Sequence, residues 1–311
     1  MNVRLFDWRD IPSLRRCRSD SVFLDSELLL TRGSMMVPGV LFSLLASTMG
    51  IFTCVTEAGE QTDPQLIGQF IHSAGSNLSH LTFLAPQKQL ESALVCPLIE
   101  RMMVISGERG AQRLLADADE GSLAFDSLRK CGFAVYTRQR IWQLAGRIGN
   151  TSRPRSWRAA SDQDIIPIRT LYNNVVPGMV QQIEPFSTQR PRGMVLYQNG
   201  DLLAYVELNQ GRRGIWAQPF FHPDVEEVSA YLLDMIEKIP ARRFRPIYIC
   251  IRSYQSWLEP WIEELGGEAG QRQAVMVRQL VVQQKVARAF SLPALESGQA
   301  EVTAPMVHLE N

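Results

Sequence analysis

Apolar and polar positions along the chain follow two rhythms, an alternation that marks strands and a three-to-four spacing that marks helices. The helical spacing is plainest after Pro223, where Val225, Val228, Leu232, Met235, Ile236 and Ile239 recur on one face. Asp224 stands at its start with Glu227 three residues on, the arrangement of a capping box. An earlier segment puts Leu90, Leu94, Leu98 and Met102 on one face; Pro97 inside it predicts a kink or a late start near Cys96. Further helices are predicted over 122–131 and 254–265, followed by Gly132 and Gly266. Strand-like runs cover 81–86, 112–118, 134–144, 194–198, 202–208, 214–223 and 246–252. Between two of them, Asn199-Gly200-Asp201 reads as a hairpin turn.

The same order of elements occurs twice. Each copy opens on a polar run and an Ile-Pro step, Asp10-Ile11-Pro12 and Asp164-Ile165-Ile166-Pro167. Each has a central apolar strand ending in proline, Pro86 or Pro223, then helix, strand, and a helix closed by glycine. The polar, Gly/Pro-punctuated segment 146–155 separates the copies. The expected division is therefore 1–148 and 157–288, with 149–156 as linker. The stretch 289–311, rich in Ala, Ser, Glu and Pro, is expected to be a disordered tail.

Composition narrows the function. The 311 residues carry 32 Lys+Arg and 32 Asp+Glu, so the net charge is zero and the basic surface of a nucleic-acid binder is not expected. The five cysteines (17, 54, 96, 131, 250) and four histidines (72, 80, 222, 308) lack ligand spacing. Reduced buried thiols, no metal site and a cytoplasmic location follow as expectations. The uncharged stretch 34–56 has bilayer length, but Pro38, Gly39, Ser43, Ser47 and Gly50 dilute it, so a helix and a strand of a soluble core are expected, not a membrane span. Gly107-Glu108-Arg109-Gly110 lacks the Lys and Ser/Thr of a phosphate loop and reads as a turn. Asp117, Asp119 and Glu120 read as a solvated strand end, and Trp257 with Trp261 as core or interdomain contact.

The doubled pattern resembles the GNAT-type N-acetyltransferase superfamily, over roughly residues 3–144 and 156–285. The most specific segment runs from Ala111 to Tyr136 and is similar to the family's fifth strand, fourth helix and closing Gly-Phe, with Ala124 and Gly132-Phe133 in place. In the second copy Leu265-Gly266 matches and Gly267 replaces the Phe. The resemblance implies an α/β fold of two GNAT-like domains, each a mixed, mostly antiparallel sheet flanked by helices on both faces. It also implies acetyl-CoA as cofactor, its pantetheine paired with a splayed central strand and its pyrophosphate on N–H groups at the next helix start.

The family's loop pattern is Arg or Gln, two residues, Gly, one residue, then Gly or Ala. In the first copy Gln89 matches, Ser92 replaces the first Gly and Leu94 the last position. In the second copy Glu226, Ser229 and Tyr231 stand at those positions, with Asp224 and Glu227 adding like charge. Leu84, Ala85, Lys88, Gln89 and Ser92 are thus the candidate cofactor contacts, in the first copy. The family's acid, a Tyr four residues before the closing Gly, is replaced by Leu128 and Ile262. Tyr254 could substitute, and Glu207, on a strand facing the central cleft, could serve as general base. Two functions follow: acyl transfer from acetyl-CoA to a small-molecule or peptide amine, or a catalytically inactive tandem acting as a binding or regulatory module.

Overall fold

The computed structural model describes residues 3–34, 50–57, 65–144, 157–186, 190–239 and 245–280. Both halves open with one device. On β1 (Val3–Leu5) Arg4 donates two hydrogen bonds to Asp10, at 2.7 and 2.8 Å. On β8 (Trp157–Ala159) Arg158 does the same to Asp164, at 2.8 and 2.6 Å. Each aspartate also accepts a backbone N–H three residues earlier, from Asp7 or Ser161, closing a short 3-10 turn. Helices then follow, α1 (Ile11–Cys17) in the first half and α5 (Ile165–Val175) in the second. The fork-to-fork pairing holds the Asp164 carboxyl well below the usual carboxylate range.

The remaining first-half elements are β2 (Val22–Phe23), α2 (Ser26–Arg32), β3 (Ile51–Thr56), β4 (Ile67–His72), β5 (Leu78–Ala85), α3 (Val95–Gly107), β6 (Arg113–Asp119), α4 (Leu123–Lys130) and β7 (Ala134–Leu144). The second half continues with α6 (Gly178–Ile183), β9 (Gly193–Gln198), β10 (Asp201–Gln210), β11 (Ile215–Phe221), α7 (Val228–Lys238), β12 (Ile247–Arg252), α8 (Glu259–Glu264) and β13 (Glu268–Gln279). The Asn-Gly hairpin is made as read, with Asn199 at φ 53° and Gly200 at φ 95° joining β9 to β10. Pro97 does delay its helix, because α3 begins at Val95.

One sheet runs through both halves in the order β1-β3-β4-β5-β6-β13-β7-β12-β11-β10-β9-β8. The last strand of each half is exchanged: β13 lies between β6 and β7, and β7 pairs with β12. Gln139 and Gln273 face each other in the register of β7 and β13, at the centre of this exchange. Ala274 and Met276 accordingly complete the first half's core around Leu98, Met102 and Leu128, whereas Trp142 and Leu144 complete the second's around Leu232, Ile249 and Ile262. A third cluster mixes Leu115 and Tyr136 with Ile168, Val195, Phe220 and Val275. The described residues lie in a single compact unit that ends at Leu280. Residues 145–156, where the linker was read, and the tail lie outside the described residues.

Four expectations are corrected. Cys96, at the start of α3, and Cys131, at the end of α4, form a disulfide with Cα atoms 5.0 Å apart, so only Cys17, Cys54 and Cys250 are buried thiols. Their separation of 35 residues matches no short-range motif; the packing of α3 beside α4 brings them together. The capping box after Pro223 is not made: α7 starts only at Val228, and Glu227 adopts a left-handed φ of 53° without a side-chain cap. Trp257 and Trp261 are exposed. Asp117 is not an open strand end but half-buried; it accepts the Ser26 N–H at 3.1 Å, and burial pushes its carboxyl up. The strand read in 34–56 is present as the fully buried β3, while 35–49 lies outside the described residues. Among the described residues no helix is long and apolar enough to cross a membrane.

Candidate functional site

In the first half, β5 and β6 pair in parallel only from Leu78 opposite Arg113 to His80 opposite Leu115. Beyond that point the chain itself occupies the gap. β2 pairs with β5, Val22 opposite Leu84 and Phe23 opposite Phe83. Leu24 then spans both strands: its N–H donates to the Thr82 carbonyl at 2.9 Å, and its carbonyl accepts the Asp117 N–H at 2.8 Å. The resemblance implies that a pantetheine arm would pair with this central strand, whose Thr82 carbonyl Leu24 already occupies.

The following loop is equally committed. Leu84 and Ala85 are fully buried strand residues, Ala85 opposite Ile67. Lys88 and Gln89 lie in a 3-10 turn, Gln87–Gln89. The N–H groups of Gln89, Leu90, Ser92 and Val95 donate within the loop, that of Leu94 goes to the Ser92 hydroxyl, and that of Gln87 to the Asp20 carbonyl. The Gln89 Oε1 is buried without a donor, which a diphosphate, itself all acceptors at neutral pH, does not supply. Lys88 is exposed and carries the loop's one cationic side chain. An acyl-CoA does not fit these residues.

The second half fits no better. β11 and β12 pair in parallel over Ile215–Ala217 and Ile247–Ile249. Ile215 donates its N–H to Pro246 on that side, and the two-residue period places Pro219 and Phe221 on the same edge. Pro219 has no N–H, and the Phe221 carbonyl already accepts Gln255 Nε2 at 3.2 Å. At the helix start, Asp224, Glu226 and Glu227 are exposed carboxylates. They oppose a diphosphate where α7's dipole would attract one.

The polar residues that the sequence singled out for chemistry meet elsewhere. A cavity of about 530 Å³ opens between β10 and β11 of the second half and the β5–β6 strands of the first, with Glu207 and Tyr254 both in its wall. Alternation along β10 aims Glu207 into it, two residues from Tyr205. Tyr254 reaches it from the 3-10 turn Ser253–Leu258 that replaces the first part of the predicted helix. Phe220 stacks on Tyr205 with centroids 6.1 Å apart and meets Tyr172 at 5.6 Å, giving an aromatic wall.

Charge in the cavity is unevenly satisfied. Glu184 accepts from the Tyr136 hydroxyl and from Arg252 Nη2 at 3.3 Å. Glu207 has neither a hydrogen bond nor an ion pair among the described residues. Burial pushes its carboxyl up and Glu184 adds to the effect, while Arg192 and Arg252 oppose it. Burial likewise raises the Tyr254 phenol well above its ordinary value. Glu184, Arg192 and Arg252 escaped the sequence reading because the sequence 184–192 has no period and Arg252 lies at the end of an apolar strand. Among the described residues no group of His, Cys, Asp and Glu is placed to hold a metal.

This architecture is that of the GNAT acetyltransferase fold in tandem. It is similar to a GCN5-related N-acetyltransferase from Sphaerobacter thermophilus, with a TM-score of 0.51 and 10% identity over 90% of this chain and 95% of that one. It is similar in the same degree to a tandem GNAT protein from the clavulanic acid biosynthesis pathway, TM-score 0.51, 12% identity, over 90% and 98% of the two chains. No protein-family model matches the sequence, and no curated protein does.

Proposed function

We propose that this tandem GNAT-fold chain acts as a small-molecule-binding module through its central cavity and does not use acyl-CoA. The observation that carries the reading is Leu24, which bridges Thr82 and Asp117 where the fold family takes its cofactor. The committed N–H groups after Pro86 and the carboxylates after Pro223 support it. The partner is a small molecule, and neither nucleic acid nor a membrane is part of the reading. Calorimetric titration of acetyl-CoA into the full chain should give no binding heat at millimolar ligand, and Lys88→Glu should leave that unchanged. Acetyl-CoA binding at micromolar affinity, abolished by Lys88→Glu, would overturn the reading. Acyl transfer to an amine is the second reading, favoured by one observation: Glu207 and Tyr254, suited by chemistry to act as base and acid, share one cavity.

A further inference from the structure

Among the described residues, two side chains of the cavity, one a carboxyl and one a guanidinium, have neither a hydrogen bond nor an ion pair. Glu207 is one. The other is Arg192, exposed at the rim, whose guanidinium has no hydrogen bond or ion pair among the described residues. The two sit side by side in the sheet: Gly193 faces Glu207 in the β9–β10 register, and the Leu208 N–H donates to the Arg192 carbonyl at 2.9 Å. Despite that proximity they form no ion pair, whereas Glu184, in the same wall, is engaged by Arg252 and Tyr136.

We infer that the cavity binds a small zwitterion of amino-acid size, its ammonium on Glu207 and its carboxylate on Arg192 at the mouth. The inference rests on reading the cavity as a binding site, and it names the ligand class. A half-buried carboxyl with no hydrogen bond or ion pair among the described residues gains from a ligand cation, and an arginine fork suits a ligand carboxylate. The Tyr205–Phe220–Tyr172 wall offers apolar area to a side chain. A volume of about 530 Å³ lies in the range of small-ligand sites and exceeds what a single amino acid fills. A polyphosphate would meet Glu207 and Glu184; a bare dication would meet Arg192.

The test uses the full chain with three probes: L-phenylalanine, L-phenylalaninamide, which lacks the carboxylate, and N-acetyl-L-phenylalanine, which lacks the ammonium. Calorimetry should show the zwitterion binding at least about tenfold more tightly than either derivative, the scale of one lost charge contact. Glu207→Gln should erase the preference over the acetylated probe, and Arg192→Gln, which changes an exposed side chain and keeps the carbonyl that Leu208 bonds, the preference over the amide. Equal binding of the three probes, or no binding of L-phenylalanine at 10 mM, would overturn the inference. The acetyl-CoA titration on the same preparation reports separately on the proposed function, so that the two can fail independently.

Discussion

Glu27, in the first turn of α2, is a buried carboxyl whose titration makes stability depend on pH. Burial pushes it from 4.5 up to about 8, helped by Asp25 on its own helix and by Glu207 and Asp117 from β10 and β6; Arg32 opposes them. An acid whose pKa is raised on folding contributes fully below its unfolded pKa and loses that contribution as pH rises through the folded value. Stability should therefore decline between about pH 4.5 and 8. Glu27→Gln should remove that decline, leaving the variant about 1–3 kcal/mol more stable near pH 9 and little changed near pH 4. Urea unfolding at the two pH values decides it, and a variant less stable than the parent at the higher pH would reject the assignment. The same scale shows what sequence could reveal. The Ile-Pro openings were legible as a repeat, but the Arg4–Asp10 and Arg158–Asp164 pairs that sit at them were not read, although those contacts span only six residues. Strand alternation was enough to aim Glu207 at the cavity. The Cys96–Cys131 bond and the Ser26–Asp117 contact join residues 35 and 91 positions apart, and no local period records them.

At the scale of elements, α2 is the piece that ties the first half to the second half's hairpin. Its C-terminal carbonyls come down on the turn between β10 and β11: Arg213 donates its N–H to the Thr31 carbonyl at 2.9 Å. That approach requires glycine. A Cβ on Gly211 would lie 2.1 Å from the Thr31 carbonyl oxygen, and one on Gly214 2.9 Å from the Leu30 oxygen. Both obstacles are backbone, so they cannot swing aside. Gly211→Ala should cost about 2–4 kcal/mol, read as a lowered urea midpoint at unchanged slope. A loss below about 0.5 kcal/mol would show that the α2 contact contributes little. α2 is preceded by the Leu24 bridge, so the helix that docks on the second half also anchors the segment filling the first half's cleft. Most strands and helices were legible from period alone, since their faces are buried. The start of α7 was not, because Glu227 takes a left-handed conformation that a capping-box pattern does not foresee. Trp257 and Trp261 share a helical face by spacing, yet both are exposed, since spacing says which residues align and not what lies opposite.

At the scale of the whole molecule, the exchange of β7 and β13 decides whether the halves are separable. Two copies of one pattern are legible along the chain, and each copy contains strands of the right alternation. Pattern names a strand without naming its neighbour, so the exchange was out of reach. Its energetic consequence is direct. Without β13, the first half loses Ala274 and Met276 from its core and exposes the edges of both β6 and β7. Without β7, the second half loses Trp142 and Leu144 and one whole edge of β12. A buried side chain of that size contributes about 1.5–3 kcal/mol, and net stabilities are only about 5–15 kcal/mol. Unpaired edges also invite association. Residues 1–144 expressed alone should therefore be insoluble or self-associated. Residues 157–280 co-expressed as a separate chain should bring them into a soluble heterodimer, because every contact of the exchange survives a cut in 145–156. Affinity purification on a tag carried by the first chain, followed by gel filtration, reads the outcome. A folded, soluble monomer of residues 1–144, melting cooperatively near the temperature of the intact protein, would show that the exchanged strand is dispensable.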